Sequence, residues 1–505
     1  MGNNNETKKQ LALTLSDFQK LNGFFFDSDT IEGIEINDFE YVESGISKSR
    51  FKKIAFIALS KQRADEARRA DKPWVDGNVV AERNSEKITL LVTETPIFSL
   101  KKTLPQFIVE NTWEFMHEVG DYLRNKTTIP IIAITGSVGK TTTRMMIEHL
   151  FKEELSVLSN RGNHNTRFAI PLYMDKLVQS PDMLNLEVSL NALNRRGKGP
   201  QSTFIKPTIA LVTSVDYAHM STMSSLNNLA EFKANIFKGL VAEGTAIINK
   251  DIRNEQYEII YEAALKRTKK IVTYSMSDTS ADVYMVSKKE LKYLTEVTIC
   301  YNDSYYSYYL GLGSPGMIEN SLAAIVVLIS LEKDIEKYLP RFSDFRSLPK
   351  IMDLRMGYYE GKQLDIIDDT HNAAIPSMIN ALVSFKEKSP YYKGTKLLVL
   401  GQVADLGQFS AEEHRSLISY INESGADYLL GYGEDMKEIV SSVRISSKWF
   451  DNLSDYLEEL LMCIEKDSFV LLKGSITGSD YHKISSLLTK ELDNISKLTL
   501  KIERK

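Results

Sequence analysis

An apolar run that leads into a glycine-bounded loop limits the possible folds of this chain more than any other segment. The run covers residues 131–135, and the loop continues as Gly136, Ser137, Val138, Gly139, Lys140, Thr141 and Thr142. Glycine lets a backbone curl so that successive N–H groups face one anion, and a following helix adds positive potential at its N-terminus. Lys140 supplies a mobile positive charge, and the hydroxyl of Thr141 can bind Mg2+. The segment therefore predicts a strand, a phosphate-binding loop and a helix, with ATP as the ligand.

The spacing of this loop narrows the prediction. It is roughly one or two residues shorter than the commonest P-loop, so the generic pattern fits it loosely. The alternative is a strand-to-helix turn that happens to contain two glycines. Such a turn does not require Lys140, Thr141 and Thr142 directly after the second glycine, so nucleotide binding is favoured.

Length and composition exclude several classes of protein. At 505 residues the chain is too long for one core, and a usual domain size of ~100–200 residues predicts about three domains. The chain is 43% hydrophobic and 26% charged, which is typical of soluble globular proteins. A net charge of -5 gives no basic field to attract nucleic acid, so no nucleic-acid partner is expected.

The cysteines and the apolar segments indicate the compartment. Cys300 and Cys463 are the two cysteines and lie far apart in sequence, which argues against a disulfide framework and a cysteine-rich metal site. The N-terminal residues show neither a secretion signal nor a lipidation signal. The apolar run at 322–331 is shorter than the ~20 residues that span a bilayer, so we expect a buried helix there, no membrane span and a cytoplasmic protein.

Alternating strand and helix patterns predict an α/β fold with three domains, 1–125, 126–348 and 349–505. Residues 1–125 predict small α/β units with strands at 54–59 and 88–92. The middle part predicts a doubly wound parallel sheet, with antiparallel additions in a tyrosine-rich section; its strands are expected at 131–134, 183–188, 209–213, 244–249 and within 297–312. A second α/β rhythm follows a linker at 348–350, with strands at 364–367, 396–400, 426–431 and 469–472; residues 490–505 read as a solvated terminal helix or strand.

Two polar side chains lie at or just beyond the ends of predicted parallel strands. Glu187 ends the strand 183–188, and His219 follows the strand 209–213. Ligands collect at the carboxyl edge of such a sheet, so Glu187 and His219 are candidate magnesium ligands. Taken singly, Glu187 also fits a surface glutamate, and His219 a structural histidine.

The order of several short motifs resembles the Mur ligase family. After the loop come Gly162-Asn163-His164-Asn165, then Glu187, residues 213–219 and residues 230–240. The series continues with Asp368-Asp369-Thr370-His371-Asn372, then residues 400–407, His414 and Lys473-Gly474-Ser475. The ordered agreement covers the central and C-terminal thirds of the chain.

This resemblance implies three domains: one for a nucleotide-sugar substrate, a central ATPase and a Rossmann-like C-terminal domain that closes over ATP. It implies an ATP-dependent acid–amine ligase of cell-wall peptidoglycan biosynthesis that works with Mg2+ through an acyl phosphate. The expected partners are a UDP-muramoyl-peptide-like acid and D-alanyl-D-alanine or a related amine. A monomer is expected.

The resemblance also assigns roles to individual residues. Those with catalytic roles are Lys140, His219 and Lys233, the last matching a lysine that the family often carbamylates. Those at the metal are Thr141, Glu187, His219 and Lys233. Those at ATP are Gly136, Ser137, Val138, Gly139, Lys140, Thr141, Thr142, Asn320, Arg355, Asp369 and His371. Those at the other substrates are Asn165, Asn372 and Lys473. Taken singly, Lys233 also fits an exposed helix lysine, Asn165 a turn, Asn320 a helix cap and Arg355 a linker salt bridge.

Three functional hypotheses stay open at this point. The first is a cell-wall ligase, and the second is the same chemistry in a specialised peptide, capsule or natural-product pathway. The second stays open because residues 1–125 keep little of the family's uridine-binding pattern, and Gly474-Ser475-Ile476 lacks the arginine that usually follows this motif. The third is a nucleotide-dependent regulator without turnover, against which the intact Lys140, Glu187, His219 and Lys233 argue.

Overall fold

A computed structural model describes residues 11–26, 33–67, 73–194, 199–216, 225–404, 406–407 and 410–497. The chain divides into two compact units, Met1–Tyr274 and Ser275–Lys505, which are described separately. The division into three domains at 125 and 348 stays a prediction. The predicted α/β class is confirmed, because parallel sheets and helices build both units.

The N-terminal part of the first unit is built around a small sheet with strand order β2-β7-β6-β5-β4, in which β4 to β7 are parallel. The strands are β1 (Leu13–Thr14), β2 (Phe24–Phe25), β3 (Glu35–Ile36), β4 (Asp38–Glu40), β5 (Ile54–Ile57), β6 (Leu90–Thr93) and β7 (Gln106–Ile108). The helices are α1 (Leu15–Phe18), α2 (Glu43–Lys48), α3 (Lys61–Ala67), α4 (Gly77–Arg83) and α5 (Thr112–Lys126). The strand predicted at 88–92 begins two residues later, because Ser85–Lys87 forms a 3-10 turn that carries the chain to it.

A parallel sheet with strand order β13-β12-β11-β8-β10-β9 forms the rest of the first unit. Its strands are β8 (Ile131–Thr135), β9 (Val157–Ser159), β10 (Met183–Glu187), β11 (Ile209–Val212), β12 (Thr245–Asn249) and β13 (Ile271–Ser275). Its helices are α6 (Lys140–Phe151), α7 (Ile170–Asp175), α8 (Leu190–Leu193), α9 (Ser202–Ile205), α10 (Leu226–Ala234) and α11 (Asn254–Leu265). The central strands are buried throughout, as expected for a sheet covered by helices on both faces, so the predicted doubly wound sheet is confirmed.

The register of this sheet brings three strand ends level. Glu187 of β10 lies beside Ile134 of β8, and Val212 of β11 lies beside Thr135. The segments that leave β8, β10 and β11 therefore start at one edge of the sheet. This is the carboxyl edge, where open parallel sheets bind ligands.

The second unit begins with an antiparallel meander of β14 (Val283–Glu290), β15 (Thr295–Tyr301) and β16 (Ser304–Leu310), as the tyrosine-rich section predicted. Asn302 and Asp303 connect β15 to β16 with positive φ angles of 48° and 57°, the conformation of a two-residue type I′ hairpin. The helices α12 (Pro315–Ser330) and α13 (Ile335–Tyr338) follow. The apolar part of α12 is buried, and among the described residues no helix combines the length and the apolar character that crossing a bilayer requires.

The remainder of the second unit is a mixed sheet with strand order β21-β20-β19-β22-β18-β17-β23. Its strands are β17 (Asp353–Tyr359), β18 (Lys362–Asp369), β19 (Lys396–Gly401), β20 (Tyr428–Tyr432), β21 (Ser446–Phe450), β22 (Ser468–Lys473) and β23 (Asn494–Lys497). Its helices are α14 (Ile375–Lys388), α15 (Ser410–Arg415), α16 (Leu417–Glu423), α17 (Met436–Ser442), α18 (Leu453–Met462) and α19 (Ile484–Glu491). All pairings among strands β18 to β22 are parallel, which confirms the second alternation of strands and helices. Part of the predicted terminal segment pairs with β17 as β23, and residues 498–505 lie outside the described residues.

Candidate active site

The two glycines of the predicted phosphate loop are required by geometry. A Cβ atom at Gly136 would overlap the hydroxyl oxygen of Thr213, which follows the neighbouring strand β11. Gly139 has a φ of 86°, in the left-handed region that side chains avoid, and it turns the chain into α6. The strand, loop and helix predicted from the sequence are therefore present, and residues 136–142 lie together in them.

The segment after β11 holds the loop in place. Backbone N–H groups of Ser137 and Val138 donate to the carbonyl oxygen and the Oγ of Ser214, at 3.0 and 2.9 Å. The Thr213 hydroxyl donates to the carbonyl oxygen of Val138 at 2.6 Å. Sequence reasoning placed Thr213 and Ser214 in a motif but missed this anchoring role. Polar residues at the end of the strand next to the loop are the signal that could have indicated it.

Lys140 folds back over the loop that precedes it. Its Nζ donates to the carbonyl oxygens of Gly136 and Ser137 at 2.8 and 3.2 Å. Burial lowers the pKa of Lys140, and the negative charge of Glu187 opposes that shift. The positive charge therefore lies at the loop, where the resemblance places a phosphate.

Glu187, at the end of β10, is held through both carboxylate oxygens. The Thr141 hydroxyl donates to Oε2 at 2.8 Å, and Nδ2 of Asn165 donates to Oε1 at 2.7 Å. Glu187 is 5% exposed. The structure thus brings together three residues predicted from separate motifs, each on a different segment.

The donors at Glu187 fit magnesium. Mg2+ prefers oxygen ligands and is usually bound by one or two carboxylates together with substrate phosphates and water. Glu187 and the hydroxyl of Thr141 supply such oxygens beside the loop. Within the described part of the chain no group of three His, Cys, Asp or Glu side chains could hold a metal by itself. Because Glu187 and Thr141 lie beside the phosphate loop, they suit a metal that arrives with a nucleotide. His219 lies outside the described residues, and its role as a ligand stays a prediction.

Lys233 is buried in α10 and is only 2% exposed, so it is not an ordinary exposed helix lysine. Burial, and secondly the charge of Lys140, hold the pKa of Lys233 well below its usual value. An uncharged amine is the form that reacts with carbon dioxide to give a carbamate, and that reaction would turn a neutral side chain into an anion. The environment of Lys233 suits this modification.

In the second unit, three predicted residues meet at the ends of β18 and β22. Lys473 forms a buried ion pair with Asp369, and its Nζ also donates to the carbonyl oxygen of Asn372 at 3.3 Å. The backbone N–H of Met352 donates to the other carboxylate oxygen of Asp369 at 3.1 Å. Asp369 and Lys473 are thus paired with each other.

The remaining predicted residues of this unit have different environments. Arg355 on β17 forms ion pairs with Asp353 at 2.9 Å and Asp368 at 3.0 Å, in line with the salt-bridge alternative. His371 is exposed. Asn320 is buried inside α12, so the helix-cap alternative is wrong, because Ser314 caps this helix through the backbone N–H of Met317.

Family models match most of the chain outside its N-terminal part. A model described as the Mur ligase middle domain matches residues 134–328, and one described as the Mur ligase, glutamate ligase domain matches residues 354–476. The first match contains the phosphate loop, Glu187 and Lys233. The second contains Asp369 and Lys473.

Curated relatives and solved structures agree with these matches. The UDP-N-acetylmuramoyl-tripeptide--D-alanyl-D-alanine ligase of Buchnera aphidicola subsp. Baizongia pistaciae is 30% identical over 67% of this chain and 71% of its own length. The crystal structure of MurF from Acinetobacter baumannii matches with a TM-score of 0.74 and 21% identity, covering 95% of this chain and 98% of that one. MurF from Thermotoga maritima in complex with ADP matches with a TM-score of 0.68 and 19% identity, covering 90% and 97%. The two structures show a shared fold.

Proposed function

This chain belongs to the Mur ligase family of ATP-dependent carbon–nitrogen ligases, and we propose that it adds D-alanyl-D-alanine to the peptide carboxylate of UDP-N-acetylmuramoyl-tripeptide. Curated relatives with this printed activity support the choice of substrates. The observation that carries the proposal is the meeting of Thr141, Asn165 and Glu187 beside the phosphate loop.

The chemistry has two steps. A carboxylate oxygen of the acid attacks the γ-phosphorus of ATP, the bond from that phosphorus to the bridging oxygen breaks, and ADP leaves with the electron pair. The amine nitrogen then attacks the carbonyl carbon of the acyl phosphate, loses a proton and displaces phosphate. Both steps need two anions held together while negative charge develops, so positioning and fixed positive charge dominate catalysis.

The residues of this chain suit those demands. Ser214 and Thr213 fix the loop, so its shape is set before ATP binds. Lys140 places its charge on the phosphates by exchanging its contacts with the loop carbonyls for phosphate oxygens. Mg2+ would be held by Glu187 and Thr141 and would neutralise phosphate charge. Asn165 keeps the carboxylate of Glu187 pointed toward the loop.

A second candidate function keeps this chemistry but uses another acid. The family models begin at residue 134, and residues 1–125 keep little of the family's uridine-binding pattern. This part carries the small β2-to-β7 sheet, to which the resemblance assigns the nucleotide-sugar substrate. A specialised peptide or capsule pathway fits that divergence.

Location and assembly belong to the same proposal. Both cysteines are free thiols, which suits the reducing cytoplasm that the sequence indicates. We place the enzyme there as a monomer that works on small molecules.

One experiment separates these candidates. ADP release is measured with UDP-N-acetylmuramoyl-tripeptide plus D-alanyl-D-alanine, and then with panels of other acids and amines. The cell-wall proposal expects ADP and the ligated product only when the named pair is present. Turnover with a different pair alone supports the second candidate. ATP binding without turnover by any pair would contradict both and favour a regulatory protein.

A further inference from the structure

Asn160 occupies a position that no motif singled out. It directly follows β9, and its side chain is buried, with 2% of the residue exposed. Nδ2 donates to the carbonyl oxygen of Glu187 at 2.8 Å and to that of His164 at 3.0 Å. Oδ1 accepts the backbone N–H of Glu187 at 2.8 Å. One amide group thus joins the end of β10 to the segment 161–165.

These contacts extend the sheet beyond its last backbone pair. Strands β9 and β10 pair in parallel only as far as Ser159 beside Asn185. Two residues further along β10, the backbone N–H and C=O of Glu187 both bond to the Asn160 side chain, as they would to a neighbouring strand. Glu187 is therefore fixed in its backbone by Asn160 and in its side chain by Thr141 and Asn165.

The same amide fixes Asn165. The His164 carbonyl oxygen that Asn160 holds precedes Asn165 by one residue, and the Asn165 carbonyl oxygen accepts the backbone N–H of Ser189 at 2.9 Å. The carbonyl groups on both sides of the Asn165 Cα atom are thereby hydrogen-bonded to residues at the carboxyl edge of the sheet. The asparagine amide matches these contacts, which use two N–H donors and one acceptor; aspartate lacks the donors and threonine has only one.

We propose that Asn160 is a positioning residue that sets the metal affinity of this site by holding Glu187 and Asn165 in register with the phosphate loop. The proposal rests on the proposed function for its catalytic meaning. The structure itself shows that the buried amide of Asn160 bonds to Glu187, the candidate metal ligand, and to His164, which precedes Asn165. Asn165 in turn orients the Glu187 carboxylate. Loss of such supporting groups commonly lowers metal affinity by about 10- to 100-fold.

The test compares Asn160→Ala and Asn160→Asp with Asn163→Ala, an exposed asparagine in the same segment. Binding of Mn2+ in the presence of ADP is measured by electron paramagnetic resonance, alongside the Mg2+ concentration that gives half-maximal ADP release and the melting temperature without metal. Both Asn160 variants should weaken Mn2+ binding by about 10-fold or more. The half-maximal Mg2+ concentration should rise in parallel, with a smaller change in kcat at saturating Mg2+, and Asn163→Ala should match the wild type.

Two outcomes overturn the proposal: wild-type Mn2+ affinity in a folded Asn160 variant, or a lower melting temperature with unchanged metal binding. If Asn160→Asp fails to fold, Asn160→Thr keeps one donor and should show an intermediate Mn2+ affinity; a wild-type value there also contradicts the proposal. Failure of the proposed function is distinguishable, because it would leave the wild type without ADP release while the effect on Mn2+ binding remained.

Discussion

Two buried lysines dominate the electrostatics of the site at the scale of single residues. Burial lowers the pKa of both Lys140 and Lys233, and the charge of Lys140 adds to the shift at Lys233. Lys140 faces loop carbonyls and Glu187, which partly compensate its charge. Lys233 is therefore the lysine that loses its proton more readily.

This difference predicts a pH-dependent stability. Between the lowered pKa of Lys233 in the folded protein and about 10.5 in the unfolded chain, the unfolded chain binds a proton that the folded protein does not. The free energy of unfolding should therefore rise with pH in that window, by at most ~1.4 kcal/mol per pH unit. Lys233→Met removes this contribution. The free energy of unfolding of Lys233→Met should exceed that of the wild type most at the low-pH end of this window. The difference between the two should narrow toward pH 10.

Urea denaturation in CO2-free buffer at several pH values measures the gap. The control is Lys238→Met, which replaces an exposed lysine shortly after α10. A gap between wild type and Lys233→Met that stays constant from pH 7 to pH 10 would show that Lys233 keeps its ordinary pKa.

A carbamate on Lys233 is a separate expectation. If the modified side chain supplies an anion at the metal, Lys233→Ala should lose most of its ADP release, by a factor of about 100 or more, since about 2.7 kcal/mol or more of charge stabilisation is removed. Small carboxylates such as acetate should restore part of the activity by entering the space left behind. Steady-state kinetics with and without acetate measure this. Unchanged activity in Lys233→Ala would exclude the carbamate.

Individual residues also show why the sequence revealed only part of this site. Lys140, Glu187 and Asn165 belong to motifs, so their roles could be predicted. Asn160 acts through peptide groups of residues up to 27 positions away, and nothing in its neighbours along the chain indicates that partner. Long-range hydrogen bonds to backbone atoms leave no pattern in one sequence.

At the scale of elements, Lys388 at the end of α14 ties this helix to the turn between β14 and β15. The residue is 2% exposed, and its Nζ donates to the carbonyl oxygens of Leu291 and Leu294 at 2.6 and 2.8 Å. It also forms an ion pair with Glu290 at 2.7 Å. Two parts of the second unit that are distant in sequence are thereby joined through one charged group.

Lys388→Met should destabilise the second unit, because it leaves Glu290 and two carbonyl oxygens without their cation. Breaking a buried pair from one side costs about 3 kcal/mol or more. For a unit of this size such a loss lowers the melting temperature by roughly 6 to 12 °C, measured by calorimetry. Hydrogen exchange in peptides covering β14 and β15 should increase.

Lys386→Met is the control on the same helix. Lys386 is 52% exposed and pairs at the surface with Glu423, so its loss should cost less than about 1 kcal/mol. Adding Glu290→Leu to Lys388→Met should restore part of the stability, since no unpaired charge remains. Equal effects of Lys388→Met and Lys386→Met would contradict the role given to Lys388.

The elements themselves were predictable to different degrees. Strands β8, β10, β11 and β22 are buried on both faces and are mostly apolar, so the sequence located them within one residue. Strands β17 and β21 carry exposed or charged side chains and have no such run. Their positions depend on pairing with β18 and β20, which the local sequence does not encode.

At the scale of the whole molecule, nucleotide binding should stabilise the first unit. A ligand that binds only the folded protein adds about 2.7 kcal/mol to the free energy of unfolding at 100 times its dissociation constant. A non-hydrolysable ATP analogue with Mg2+ should therefore raise the free energy of unfolding of Met1–Tyr274, measured as slower hydrogen exchange in peptides from α6 and β10. Lys140→Met should lose most of this protection, and full protection in that variant would contradict the role of Lys140.

The placement of the phosphate loop also has a consequence for biosynthesis. Gly136, Glu187 and Lys233 all belong to the unit that ends at Tyr274. Ribosomes add roughly 5–20 residues per second, so synthesis of Ser275–Lys505 takes tens of seconds more. During that interval the first unit can fold outside the ribosome with its phosphate loop complete. A nucleotide that binds this loop would then stabilise the nascent first unit before synthesis of the second unit ends.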